Sequence, residues 1–347
     1  MSYNIAIVGA TGRVGTEILN ILSERKFPVK EVYALASSNS VGKKVSFGFD
    51  RILTVESVDD FDFSKVKIVL SSAGADISKK IAKNVTDSGA IIIDNTSYFR
   101  TDEEIPLIIP EINIKDLPKY KNKGIIANPN CSTIQMLLPL YPLHKEYKIK
   151  RIVVSTYQSV SGAGLEAMDE LFHQTKGIYT NTSKDSKVFP SKIAFNLIPE
   201  IDVFQEDGYT KEEWKMSFET NKILDKNIKL SATCVRVPVF IGHSESVNVE
   251  FEKDIDINHI YKLLTKAKGI NFKGFDDNKD NDYFTSNNKN LYATPLDIVG
   301  QDYVSVGRVR LDNTQKNTIN LWIVGDNLRK GAALNAVQIA EELIKIL

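Results

Sequence analysis

The chain has 347 residues, of which 42% are apolar and 25% charged, and its 44 basic and 44 acidic side chains cancel at neutral pH. That length exceeds one compact core of ordinary size, so two domains are expected. The even charge balance argues against a nucleic-acid or anionic-membrane surface, and no run of about 18 apolar residues offers a spanning helix. Two cysteines, Cys131 and Cys234, do not make a disulfide scaffold. No Cys/His cluster has metal-ligand spacing, so no metal site is expected. The first residues enter a strand without a leader pattern, and a reducing, cytoplasmic setting is expected.

In chain order, Asn4-Ile5-Ala6-Ile7-Val8 is a short apolar strand that runs into Gly9-Ala10-Thr11-Gly12-Arg13-Val14-Gly15. A helical pattern follows through Ile18, Leu19, Ile21 and Leu22. Strand, glycine turn and helix in that order make a dinucleotide fingerprint. Gly9 would make the tight turn, Gly12 would let backbone approach a pyrophosphate, and Gly15 would let helix and strand pack closely. The second strand, Glu31 to Ala36, ends in Ser37-Ser38-Asn39-Ser40 with Lys43-Lys44 beyond. An acidic residue for the ribose hydroxyls of NAD is absent there. Hydroxyls and lysines suit a 2′-phosphate, which favours NADP; the plain alternative is that the lysines are only solvated.

Strands at Lys67–Ser71 and Ala90–Asp94, with a helix between Ile77 and Val85, predict a parallel sheet. Arg100 follows the second of these and points toward the carboxyl edge, where an anion ligand would sit. Gly124-Ile125-Ile126-Ala127 reads as a buried strand, and Asn128-Pro129-Asn130-Cys131-Ser132 as the turn into a helix. Cys131 is therefore expected at a helix N-terminus, where unpaired N–H groups favour a thiolate and can hold an oxyanion. The bland alternative is a small buried hydrophobe.

Arg151 to Gln158 reads as a strand, ending in Ser159-Val160-Ser161-Gly162-Ala163-Gly164, with a helix from Leu165 to about Thr175. Residues 180–187 read as a loop. Tyr209 to Leu224 is strongly helical, and Glu219 and Lys222, three apart, can share a face; the plain alternative is a surface ion pair. Leu230 to Phe251 reads as two strands joined near Gly242, with Cys234 as packing. His243 is the best candidate base, against a structural reading; His144, His173 and His259 lie in helical surface patterns. Residues 273–290 read as a mobile polar loop. Asp302–Arg310 pairs naturally with Thr318–Val324, and a periodic helix closes the chain.

Five blocks in this order resemble the aspartate-β-semialdehyde dehydrogenase family from end to end: Gly9 to Gly15, Pro129 to Gln135, Ser155 to Gly164, Arg236-Val237-Pro238 with His243-Ser244-Glu245, and Asp326 to Ala333. The resemblance implies an α/β fold with two domains. A Rossmann dinucleotide-binding domain spans 1–127 and is completed by the C-terminal helix 328–347. An α+β catalytic and dimerisation domain of the glyceraldehyde-phosphate-dehydrogenase type spans 128–327. It also implies a cytoplasmic homodimer or homotetramer with small-molecule substrates. The implied reaction interconverts aspartyl-4-phosphate and NADPH with aspartate-4-semialdehyde, phosphate and NADP, in lysine (diaminopimelate), threonine and methionine biosynthesis.

By the same resemblance Cys131 matches the nucleophile, His243 the acid/base and Gln158 the substrate-orienting amide. Arg236 matches the ligand of the substrate carboxylate and Glu219 that of its amino group. Arg100 and Lys222 match the phosphate pair. Gly9, Thr11, Gly12, Arg13, Val14, Gly15, Ser37, Ser38, Ser161, Gly162 and Asn327 match the cofactor contacts. Some relatives carry Arg just after the serine pair, where this chain has Asn39. The implied chemistry is a Cys131 thioester reduced by hydride, with helix N–H groups and protonated His243 at the developing oxyanion. The rivals are N-acetyl-glutamyl-phosphate reductase, whose Cys is followed by a different sequence, a Cys hydrolase, which would lack the glycine fingerprint, and a non-catalytic Rossmann sensor, which would not need Cys131 with His243.

Overall fold

The computed structural model describes residues 2–49, 51–182, 185–274 and 291–347. The chain divides into two compact units, Met1–Asn130 with Gly331–Leu347, and Cys131–Lys330.

The first unit begins β1 (Tyr3–Val8), α1 (Arg13–Glu24) and β2 (Val29–Ala36). A small hairpin, β3 (Lys44–Phe47) and β4 (Arg51–Thr54), precedes the two-residue β5 (Glu56–Ser57). Then come β6 (Ile68–Ser71), α2 (Ala75–Asp87), β7 (Ile91–Asp94), the one-turn α3 (Pro110–Asn113) and β8 (Ile125–Ala127). The sheet order is β5-β2-β1-β6-β7-β8, and each neighbouring pair is parallel. β6 and β7 are buried throughout, because helices cover both faces of such a sheet and leave no solvent side to alternate toward. The apolar stripe of α1 (Ile18, Leu19, Ile21, Leu22) enters one core with Ile5, Ile7, Ile68 and Leu70. The C-terminal helix Leu334–Leu343 adds Leu334, Val337, Ile339, Ala340 and Leu343 to that core. Outside it, Arg25 makes a two-bond pair with Glu341 at 2.7 and 2.8 Å, half exposed and so a minor contribution beside the apolar burial.

The second unit opens with α4 (Cys131–Tyr147), β9 (Ile149–Gln158), α5 (Leu165–Thr180), α6 (Lys211–Ile223), β10 (Lys229–Arg236) and β11 (His243–Phe251). It continues with α7 (Ile257–Lys266), β12 (Ile270–Lys273), α8 (Pro295–Ile298), β13 (Val304–Leu311) and β14 (Thr318–Gly325). Its sheet order is β10-β9-β11-β14-β13-β12. β10 runs parallel to β9, while β11 runs antiparallel to it. The two strands expected on either side of Gly242 are therefore present, but β9 lies between them. β13 and β14 pair antiparallel. Lys273 ends a strand rather than opening a loop, and the rest of the polar stretch, from 275 to 290, lies outside the described residues.

α4 is apolar nearly all round: Ile134, Met136, Leu137, Leu138, Leu140 and Leu143 are all buried. It holds Pro139 and Pro142 inside a helix. A mid-helix proline costs ~3 kcal/mol, and each fully buried large aliphatic side chain returns roughly 1.5–3 kcal/mol, so packing outweighs the lost backbone bonds. His144 departs from the surface position its pattern suggested. It is buried in the last turn of α4, and its Nδ1 accepts the Ile149 N–H at 3.1 Å where the chain enters β9.

Candidate active site

Period-two alternation sends every second side chain of β9, β10 and β11 to one face of the second sheet, packed by α4 and α6. Along that face the chemistry changes. β9 presents Ile152 and Val154, then Thr156 and Gln158; β10 presents Ala232, then Cys234 and Arg236; β11 presents His243 and Glu245, then Val247 and Val249. Because β11 runs opposite to β9 and β10, all the polar ends lie at one edge. Arg236 is the register partner of Gln158. The turn after β9 is sewn to the β10–β11 connection, since Val160 N–H donates to Val239 O at 2.9 Å and Ser161 N–H to Phe240 O at 3.1 Å.

His243 is fully buried, and its Nδ1 accepts the backbone N–H of Ser159 at 3.0 Å. That contact makes Nδ1 the acceptor, so the neutral ring carries its proton on Nε2. Burial first, and the Arg236 charge second, hold the imidazole well below its usual pKa. In its neutral form the ring presents Nε2–H as a donor. Ser159 Oγ also meets Nδ1 at 3.0 Å and donates to Asn327 Oδ1 at 3.1 Å, and Asn327 Oδ1 accepts Gly242 N–H at 2.9 Å. Ser161 Oγ accepts from Asn327 Nδ2 at 2.9 Å. Ser161 and Asn327 are both buried, and these side-chain contacts support the turn beneath His243.

Arg236 is buried and donates to Ser159 O at 2.7 Å. Burial lowers its pKa, opposed first by the Glu212 carboxylate. A Cβ on Gly162 would stand 3.0 Å from Arg236 Nη1 and 3.4 Å from His243 Nε2, so Gly162 floors the space these two share. Gln158 Nε2 donates to Thr156 Oγ1 and Glu212 Oε1, both at 3.3 Å. Cys131 is the first residue of α4 and partly exposed. Cys234 is fully buried, its thiol pushed up by burial, which makes it packing. Glu219 is buried on α6 and Lys222 half-buried one turn on. Ser159 and Glu212 were not singled out in the sequence. Glu212 lies seven residues before Glu219, on the same face of α6, and that spacing was a readable signal.

In the first unit, the glycine turn lies where the strand order reverses about β1, the crevice in which such sheets bind ligands. Gly9 has φ +83°, and a Cβ there would lie 3.0 Å from Ala73 N, just past β6; a Cβ on Gly15 would lie 2.1 Å from Gly9 O. Gly12 caps α1, with Thr11 before it and Arg13 and Val14 after. Arg13 Nε is buried, with no acceptor among the described residues. A phosphate group fits this cradle. Ser37 and Ser38 follow β2, Lys43 Nζ bonds Ser40 Oγ at 3.2 Å, and Lys44 Nζ is taken by Thr54 Oγ1. Arg100 is buried in this unit and donates to Asn95 O at 2.9 Å. Among the described residues no group of three or more His, Cys, Asp or Glu could hold a metal ion, and no helix is long and apolar enough to cross a membrane.

A Rossmann-like parallel sheet, and a second unit whose sheet end gathers buried His243 and Arg236, are the parts of a dehydrogenase of the semialdehyde class. The family models agree: residues 4–120 match "Semialdehyde dehydrogenase, NAD binding domain", and 140–330 match "Semialdehyde dehydrogenase, dimerisation domain". Aspartate-semialdehyde dehydrogenase from Rickettsia bellii is 50% identical over 99% of this chain and 98% of its own, and that from Aquifex aeolicus 48% over 99% of each. The solved aspartate semialdehyde dehydrogenase II of Vibrio cholerae, complexed with ASA, is 46% identical over 99% of both chains, with a TM-score of 0.93. The chain belongs to the aspartate-semialdehyde dehydrogenase family.

Proposed function

We propose that the protein catalyses the NADPH-dependent conversion of L-aspartyl-4-phosphate to L-aspartate-4-semialdehyde, and the reverse, through a thioester on Cys131. The pathway context is lysine, threonine and methionine biosynthesis, in the cytoplasm. The observation that carries the reading is the gathering of Gln158, Arg236 and His243 at one end of the sheet face on which α4, the helix that Cys131 opens, packs. The ASA-bound Vibrio cholerae relative supports the substrate.

In this reading the Cys131 thiolate attacks the acyl carbon, the C–O bond breaks, and phosphate leaves with the bonding pair. NADPH, when bound, would supply the hydride for the thioester carbon. The first-turn N–H groups of α4 and Nε2–H of His243 hold the negative oxygen until the C–S bond breaks and the thiolate leaves. A neutral His243 can do this, because the aldehyde forms by expelling the thiolate and the oxygen needs no proton. Arg236 takes the substrate carboxylate with its planar fork and Glu219 the amino group; Lys222 and Arg100 act on phosphate. The glycine turn and Arg13 hold the pyrophosphate, Ser37 and Ser38 the 2′-phosphate, and the Ser161–Gly162 turn and Asn327 are further cofactor contacts. A homodimer accords with the exposed Phe172, Ile178, Tyr179, Phe195 and Leu197 within the segment matched to a dimerisation domain.

The test is NADPH formation from aspartate semialdehyde by purified protein. It should require phosphate and prefer NADP to NAD. Turnover without phosphate would overturn the acyl-phosphate chemistry, and equal use of NAD would overturn the cofactor assignment.

A further inference from the structure

Glu212 is a buried carboxylate that the reaction proposed above does not use. The N-terminus of α6 fixes its place through a capping box, in which Thr210 N–H donates to Glu213 Oε2 at 2.7 Å and Glu213 N–H to Thr210 Oγ1 at 3.4 Å. Glu213 Oε1 also accepts the Cys234 N–H at 2.9 Å, which ties that helix end to β10. Glu212 is held from the other side by Lys215 Nζ at 3.3 Å, itself paired with Asp202 at 2.6 Å. Its Oε1 then accepts from Gln158 Nε2 at 3.3 Å.

An amide has two different ends, and only hydrogen-bond partners decide which one faces a ligand. A carboxylate accepts and never donates, so Glu212 accepts only the NH₂ end of Gln158, and Thr156 Oγ1 offers that end a second acceptor. We propose that Glu212 is a positioning residue for substrate recognition: through Gln158 it turns the Oε1 end of that amide toward the substrate, selecting a hydrogen-bond donor there. Glu212 is also the first of the charges that favour the Arg236 guanidinium, so it supports both register partners at the sheet edge. In the proposed substrate the donor is the ammonium group, and in this the inference rests on the function proposed above.

The experiment compares wild type, Glu212→Gln, Thr156→Val, Gln158→Ala and the Glu212→Gln/Gln158→Ala double variant with aspartate semialdehyde, phosphate and NADP. A glutamine at 212 keeps the volume but offers a donor as readily as an acceptor. Glu212→Gln should raise KM for the semialdehyde about tenfold and leave KM for NADP within about twofold. That loss should shrink in the Gln158→Ala background, since the two residues act as one unit. Thr156→Val should move the same constant the same way by less, and it carries the test if Glu212→Gln does not fold. An unchanged semialdehyde KM in the folded variants overturns the proposal. So does full additivity with Gln158→Ala, or a loss spread over kcat and both KM values together with a fall in Tm. Wild-type silence toward the semialdehyde overturns the functional reading and this inference with it; an active wild type with an indifferent Glu212→Gln overturns the inference alone.

Discussion

The two sheet edges are built on opposite plans. The edge around Gly9–Gly15 is made of backbone: its shape depends on atoms that are missing, because a Cβ on Gly15 would overlap Gly9 O. The edge around Gln158, Arg236 and His243 is made of side chains that replace apolar residues on one face of three strands. The first should fail when atoms are added, and the second when functional atoms are removed. The reason is that a parallel strand buried on both faces leaves only its end for function. A sheet packed by helices on one face can instead convert the last side chains of that face to chemistry.

The largest expected effect tests the side-chain edge. Cys131→Ala should lower turnover by roughly 10⁴-fold or more, with cofactor affinity and circular dichroism preserved. Residual turnover near wild type would remove Cys131 from the reaction. Next, Arg236→Lys should cost about tenfold to a hundredfold in kcat/KM for the semialdehyde, with little change in KM for NADP, because a lysine cannot supply two parallel bonds. Lys222→Ala and Arg100→Ala should each raise KM for phosphate by about tenfold more than KM for NADP; wild-type phosphate dependence in both would refute that assignment.

The backbone edge is sharpened by Gly15→Ala, which should cost about 1–3 kcal/mol through overpacking and weaken cofactor binding before it touches semialdehyde recognition. Thermal melts and cofactor titration would separate the two, and intact cofactor affinity would break the contrast between the edges. The smallest effect is a pH dependence. His243 has a folded pKa depressed below its unfolded value. The stability this group contributes is present above the unfolded pKa of about 6.5 and is lost as pH falls below it, because the unfolded chain then binds a proton the buried ring refuses. Buried Glu245, whose carboxyl is raised well above its usual pKa, acts in the other sense and loses stability as pH rises past about 4.5. His243→Asn should therefore narrow the drop in Tm between about pH 7 and pH 5.5 by ~2–4 °C, and an unchanged drop would place the titration elsewhere.

Local sequence was enough for whatever depends on consecutive residues. The glycine turn between β1 and α1 was readable because three glycines at that spacing serve one turn, and Cys131 at a helix start because the Asn-Pro-Asn before it bars the helix from beginning earlier. Tertiary structure decided what depends on strand order. Residues 230–251 look like adjacent strands, yet β9 enters between them. That insertion makes Gln158 the neighbour of Arg236 and sets the Ser159 N–H against His243 Nδ1. Hence the histidine could be chosen from sequence, but its tautomer and its lowered pKa could not, since the first comes from a backbone donor at Ser159, far back in the chain, and the second chiefly from burial, which packing sets. His144 was misplaced on the surface for the same reason: one helix's periodicity shows which side can be polar, whereas burial is set by what packs against it.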